Sequence, residues 1–345
     1  MTSLESIHRD TGARIASYDG VESPADFGSV DDEHRALRES CGLLHRSWTS
    51  GLRMEGADRV RFLNGLVTCD VASLAEGDGT YGFITQVKGR ILADVRILAA
   101  GERLCLELPA GKSEEIAEHL GKYVIVDQVE VLPLEEVPLA LIGPGSAEVL
   151  GQLELPGPVH GHARADLFGI DVRLVRDADY GGVPSWTLWA PAGAVADLWA
   201  KLAASGGVRA AGREAWDRLR VEAGRPLFGR DFGPENFPQE TGLEEAVSYT
   251  KGCYLGQEVV ARIHYRGGVV KLLRGLRFSG AAEPLGESLV HEGREAGLVT
   301  SAARSPVHGH VGLAILHVRA EPGERLDLSN GGTADVVALP FEPLQ

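Results

Sequence analysis

Cysteine is scarce in this 345-residue chain. The four present, Cys41, Cys69, Cys105 and Cys253, are widely spaced and form no Cys-x-x-Cys pair. That spacing excludes a disulfide framework and a cysteine-only zinc site, and it predicts free thiols in a reducing compartment. Positive charge is also short: 34 basic residues, six of them lysine, face 49 acidic ones for a net charge of −15. A chain of that sign is not built to bind a nucleic-acid backbone without sequence preference. Long apolar runs are missing as well. The opening MTSLESIHRDTGAR has no apolar signal core and no stretch is long enough to span a bilayer, so a cytoplasmic location without a membrane partner is expected. What remains is a globular mix, 44% apolar and 24% charged, long enough for two or three packed units.

Residues 1–30 are polar and predict an arm ordered only by lying on other parts of the chain. The segment 29–44 reads as a helix with Ala36, Leu37, Cys41 and Leu44 on its apolar side, and 56–71 as a second, shorter helix. Residues 80–111 hold three strand-like runs joined by turns at Lys88-Gly89-Arg90 and Ala100-Gly101-Glu102. A helix over 112–124 and a strand over 127–135 complete an α+β layer. A unit of similar style follows, with strands at 137–144, 170–176 and 185–191, helices at 145–153 and 193–206, and a long helix from 212. Short alternating runs after residue 270 predict a small C-terminal β-barrel. The expected divisions are an arm over 1–30, subdomains over 31–135 and 136–269, and the barrel over 270–345.

Several groups of residues suggest chemistry. PAGKS (109–113) has the tail of a phosphate loop, but Leu106 stands where the loop needs glycine, so the segment reads as a helix start. His160-Gly161-His162 and His308-Gly309-His310 are spaced for chelation on a strand, yet no carboxylate or cysteine completes either set. They read as solvated loop histidines, and no permanently bound metal is expected. Asp94 lies inside the apolar run GRILADVRIL, alternating with Leu92 and Arg96. It is either a solvent-facing strand residue or, in a cleft, an acid, a base or an ammonium-binding carboxylate. Arg220 and Glu222 are either an ordinary surface pair or the holder of a carboxylate-bearing ligand. In TKGCYLGQEVVAR (250–262), Cys253 precedes a helix start and stands two residues from Lys251. Both neighbours favour thiolate, and Gly252 and Gly256 allow a sharp turn. The alternative is a buried, inert cysteine. A basic and aromatic run follows, from Arg262 through His264, Tyr265 and Arg266 to Arg277, suited to an anionic ligand or partner or to balancing the acidic stretch 231–245.

The stretch TKGCYLGQEVVAR resembles the signature Lys-Gly-Cys-Tyr-x-Gly-Gln-Glu of the folate-binding YgfZ proteins, relatives of the glycine-cleavage T-protein. Segments 12–20, 31–47, 56–71, 81–95 and 218–229 each resemble T-protein segments in the same order. The resemblance implies a GcvT-like α+β ring of two interleaved subdomains closed by a C-terminal Greek-key-type β-barrel, with tetrahydrofolate as cofactor. It also implies a role in assembly or repair of iron–sulfur clusters, with transient partners such as tRNA methylthiotransferases or the assembly machinery. By the same resemblance Tyr81 and Asp94 line the folate and the transferred carbon, Arg220 meets the folate's glutamyl tail, and Lys251 with Cys253 forms the functional thiol site; Glu222, beside Arg220, is a further candidate cofactor-binding residue that would orient the arginine. The chain departs from T-proteins in having Ala93-Asp94 for a pair of aspartates and Pro109-Ala110-Gly111 for Asn-Ala-Gly. It also has His45-Arg46-Ser47 for Asp-x-Ser, and Thr187 at the acidic pterin contact. Two further readings are an active folate-dependent aminomethyltransferase or demethylase centred on Asp94, and a non-enzymatic interaction module with a relic folate pocket.

Overall fold

The computed structural model describes residues 4–18, 20–151, 153–280 and 284–341. By contact the chain forms two compact units, Met1–Ile84 with Ala93–Trp216, and Thr85–Leu92 with Asp217–Gln345. The first opens with helix α1 (Leu4–Asp10) and a hairpin of β1 (Arg14–Tyr18) and β2 (Val21–Asp26). The arm thus has regular structure of its own, and it is anchored by the buried side chains of Leu4 and His8. In helix α2 (Val30–Glu39) the Ser29 hydroxyl accepts from Asp32 N at 3.2 Å, and the Glu33 carboxylate takes the Phe27 and Ser29 amides. The helix expected over 29–44 stops there, because Cys41 and Leu44 belong to strand β3 (Cys41–His45). A short run buried on both faces carries no period that separates strand from helix.

Strand β4 (Thr49–Glu55) and helix α3 (Arg59–Asn64) precede three strands, β5 (Gly79–Thr85), β6 (Ile91–Ala100) and β7 (Arg103–Pro109). Helix α4 (Ser113–Gly121) and strand β8 (Glu130–Pro133) follow. The sheet order is β5-β6-β7-β4-β8. The three strands and two glycine turns read from the sequence are all present, with Gly89 and Gly101 at φ of 74° and 66°.

The chain continues through β9 (Glu136–Ile142), α5 (Ser146–Leu150), β10 (His162–Leu167), β11 (Ile170–Arg176) and β12 (Ser185–Pro191). Helix α6 (Val195–Ala203), strand β13 (Val208–Ala210) and helix α7 (Arg213–Glu222) come next. The second sheet runs β10-β11-β12-β9-β3-β13, so a strand from the first half of the chain sits between strands of the second. This exchange interleaves the two halves. Leu43, Leu139, Leu141, Leu174, Leu188 and Trp199 form the core on this sheet, while Leu98, Cys105, Val175 and Trp189 cluster between the two sheets.

The second unit contains the tip of the β5–β6 hairpin and a largely irregular stretch after α7. Helix α8 (Gln257–Arg262) is followed by a single π turn, Ile263–Gly267. Seven strands complete it: β14 (Lys271–Ser279), β15 (Ser288–His291), β16 (Arg294–Leu298), β17 (Ser301–Ser305), β18 (Gly309–His317), β19 (Arg325–Leu328) and β20 (Thr333–Val337). They pair in the order β16-β15-β19-β20-β14-β18-β17, antiparallel, curling around Leu276, Leu289, Leu316 and Val336. No helix among the described residues is long and apolar enough to cross a membrane.

Candidate functional site

The β5–β6 hairpin brings Tyr81 and Asp94 together, and the Tyr81 hydroxyl donates to Asp94 Oδ2 at 2.7 Å. Asp94 is not a solvent-facing strand residue. It is half-buried, and its face of β6 also carries Leu92 and Arg96, which are 8% and 6% exposed. Asp94 Oδ1 is buried and has no hydrogen-bond partner among the described residues. Burial pushes the carboxyl up to about 6, against the downward pull of the Tyr81 hydrogen bond. The His160 ring stacks on Tyr81 with centroids 6.1 Å apart and planes at 21°. Gly79 permits that approach, because a Cβ there would lie 2.3 Å from the His160 carbonyl oxygen.

Beside this pair lies a cluster of four charges that the sequence reading did not identify. Arg96 Nε donates to Glu107 Oε2 at 2.9 Å, and its guanidinium also bonds Asp177. Arg46 reaches the same Glu107 through Nη2 at 2.7 Å and donates to the Thr187 hydroxyl through Nη1 at 2.6 Å. Thr187 and Ser185 in turn donate to Asp177 Oδ2 at 2.9 and 2.8 Å. Burial alone would raise the Asp177 carboxyl, but the Arg96 and Arg46 guanidiniums outweigh it and hold it at about 2. The carboxylate that Thr187 meets is thus Asp177, the residue after β11, 2.9 Å away and already paired with Arg96. The signal that picked out Asp94, a charge inside an apolar strand run, applies equally to Arg96 and Glu107. Their further partners, Asp177 and Arg46, lie 81 and 61 residues distant along the chain, which no local pattern reveals.

Arg220 and Glu222 are not a surface pair: they are 1% and 4% exposed on α7. Arg220 donates through Nε to Asp217 at 2.6 Å, through Nη1 to Asp231 at 2.8 Å and to the Arg225 carbonyl, and through Nη2 to Ser301 at 2.8 Å. Asp231 is further held by the hydroxyls of Thr300 and Ser301, both at 2.6 Å. In this structure the guanidinium joins α7, the following turn and the start of β17.

The Lys-Gly-Cys stretch lies in the second unit, just before α8. Cys253 is exposed, whereas Cys41, Cys69 and Cys105 are buried. The Lys251 ammonium sits 5.3 Å over the Tyr254 ring, a cation–π contact. Of the two motif glycines only Gly256 is demanded by geometry. It has φ of 83°, and a Cβ would meet the Gln86 carbonyl oxygen at 2.6 Å. Gly252 faces open space. The loop grips the hairpin tip through Thr85, whose hydroxyl donates to the Leu255 carbonyl at 2.6 Å.

The histidine pairs are not uniformly solvated. His162 is 7% exposed and its ring bonds the Ala99 carbonyl oxygen at 3.0 Å, while His308 is 9% exposed in the turn before β18. No group of three or more metal-ligating side chains occurs among the described residues. In the basic and aromatic run the His264 ring stacks on Tyr249 with centroids 3.7 Å apart, and Tyr265 is exposed.

The family model for the GCVT N-terminal domain matches residues 4–251. An aminomethyltransferase of Rubrobacter xylanophilus is 31% identical over 350 residues, covering 99% of this chain and 93% of the relative. An aminomethyltransferase of Halothermothrix orenii is 28% identical, with 99% of each chain covered. Among solved structures, the glycine cleavage system aminomethyltransferase T of Bartonella henselae superimposes with a TM-score of 0.89 at 27% identity, covering 99% of this chain and 98% of that one. None of these three is named for iron–sulfur work.

Proposed function

The chain belongs to the GCVT aminomethyltransferase family, and from that premise we propose that it is a tetrahydrofolate-dependent one-carbon transfer protein whose reacting amine is held at Asp94. The observation that carries this reading is the state of the Asp94 carboxylate. Oδ2 is fixed by a phenol, while Oδ1 is buried and left as an open acceptor. Such an orphaned oxygen fits an N–H or ammonium donor on a ligand, and reduced folate, when bound, supplies the amine nitrogen that accepts the one-carbon unit. Tyr81 sets the direction in which the free oxygen points. A carboxyl raised to about 6 can hold a proton or give it up near neutral pH, as a general acid or base must. Arg220 we assign to holding the second unit together, given the partners that already take its donors. The test is folate-dependent turnover of an aminomethyl or N-methyl donor. The expected result is activity that survives Cys253→Ser and is lost in Asp94→Ala; activity retained by Asp94→Ala overturns the reading.

A second reading concerns the exposed thiol. Cys253 is accessible while the other three cysteines are buried, which favours a contact with another molecule at the Lys-Gly-Cys stretch. In that reading the protein supports iron–sulfur enzymes through transient contacts. One thiol is too few to hold a cluster permanently. Complementation of a YgfZ-type deletion with wild type, Cys253→Ser and Lys251→Ala tests it, and equal rescue by all three rules it out.

A further inference from the structure

Two carboxylates share one face of the β6–β7 ladder, and their surroundings differ. Asp94 and Arg96 lie two apart on β6 and so point to the same side. Arg96 is directly opposite Glu107 at the end of the paired register, so Asp94, two residues before Arg96, lies on the same face just beyond that pair. Glu107 accepts from two guanidiniums, those of Arg46 and Arg96. Asp94 accepts from a neutral phenol and keeps one oxygen free.

Arg46 is the cationic member whose geometry is most constrained. Its backbone is pinned on both sides, the amide donating to the Pro138 carbonyl and the carbonyl accepting from Thr49 N, each at 3.0 Å. Its two terminal nitrogens are divided between Glu107 on one sheet and Thr187 on the other. We propose that Arg46 and Glu107 are positioning residues for Asp94: Glu107 supplies a fixed negative neighbour that favours the protonated carboxyl, and Arg46 offsets enough of that charge for the proton also to leave. The proposal rests on the reading of Asp94 as the group that meets the amine, and deepens it. Electrostatics agree in sign: Glu107 raises the Asp94 carboxyl and Arg46 lowers it. The other groups around Asp94 are Tyr81 on β5 with His160 stacked behind it, Arg96 on its own strand, and Asp177 beyond Arg96.

The test is a carbon-13 NMR titration of aspartate carboxyls in the full chain, with Asp94 assigned by the signal lost in Asp94→Asn. Arg46→Gln is expected to raise the Asp94 midpoint by about one pH unit, the scale of a nearby opposite charge. Arg46→Lys, which keeps the charge, is expected to leave it near the wild-type value. Glu107→Gln is expected to lower it. Opposite shifts from two members of one cluster are not what loss of packing produces. Shifts of the same sign, or none in Arg46→Gln, overturn the proposal. If Glu107→Gln does not fold, the contrast between Arg46→Gln and Arg46→Lys decides alone. The titration needs no turnover. The expected shifts in a protein without folate-dependent activity keep the positioning inference and remove the proposed reaction. Asp94-dependent turnover without the shifts does the reverse.

Discussion

Acidification should release the N-terminal helix, and the structure sets the scale. His8 is 1% exposed, packed edge-on against Trp199 at 4.6 Å and Phe27 at 5.7 Å, with Nε2 3.3 Å from His45 Nδ1. Burial, reinforced by His45, lowers its pKa from 6.5 to about 3. The docked form therefore binds fewer protons than the released form at any pH between those two values. The docking free energy is fully present above pH 6.5 and is lost as pH falls toward 3. At 1.36 kcal/mol per unit, the loss is about 2 kcal/mol by pH 5 and approaches 5 kcal/mol at pH 3. His45, lowered by burial to about 4, adds to it in the same direction. Helix α1 is seven residues long and is held mainly by Leu4 and His8, so it should open locally before the rest unfolds. Hydrogen exchange of the Thr11, Gly12 and Ala13 amides, which donate to the Ile7, Arg9 and His8 carbonyls, corrected for intrinsic rate, should lose roughly 30-fold protection between pH 7 and pH 5, since 1.4 kcal/mol is a factor of ten. His8→Phe should flatten that dependence. Protection that does not change between pH 7 and pH 5, or changes as much in His8→Phe, would show that protonation of His8 does not release the helix.

Other perturbations have equally definite outcomes. Tyr81→Phe removes a hydrogen bond to a charged acceptor, about 1.5–3 kcal/mol, so the Asp94 midpoint should rise above 6 by about one to two units in an NMR titration. Gly256→Ala should lower thermal stability by about 1–3 kcal/mol because the methyl group meets the Gln86 carbonyl at positive φ, while Gly252→Ala should be near neutral. Arg220→Met leaves Asp217 and Asp231 without their buried cation and should cost about 3–5 kcal/mol in denaturant unfolding.

The parts legible in the sequence were those with a local period or a turn signal. Strands β5, β6 and β7 were readable because alternation and two glycine turns agreed, and the start of α8 because Gly256 stood before an amphipathic run. The boundary between α2 and β3 was not readable, since CGLLH is apolar at every pitch until its neighbours β9 and β13 are known. Asp94 was visible as an oddity, but its half-buried setting depends on a sheet face shared with Arg96 and Glu107. The pairing of Arg46 with Thr187 spans 141 residues and belongs to tertiary structure alone. Two positions noted separately as departures from the T-protein pattern thus prove to be one hydrogen-bonded unit. The second unit shows the same limit: Arg220 was prominent as a cation late in a helix, yet its partners Asp231 and Ser301 lie 11 and 81 residues on.

Asp94, and not Cys253, is proposed to carry the chemistry. The most direct measurement is kcat/KM for folate-dependent transfer from an aminomethyl or N-methyl donor, compared among wild type, Asp94→Asn and Cys253→Ser. Loss of a positioned acid–base group predicts a fall of about 10²–10⁴-fold for Asp94→Asn with Cys253→Ser unchanged. A fall for Cys253→Ser with Asp94→Asn at the wild-type value would place the chemistry at the thiol instead.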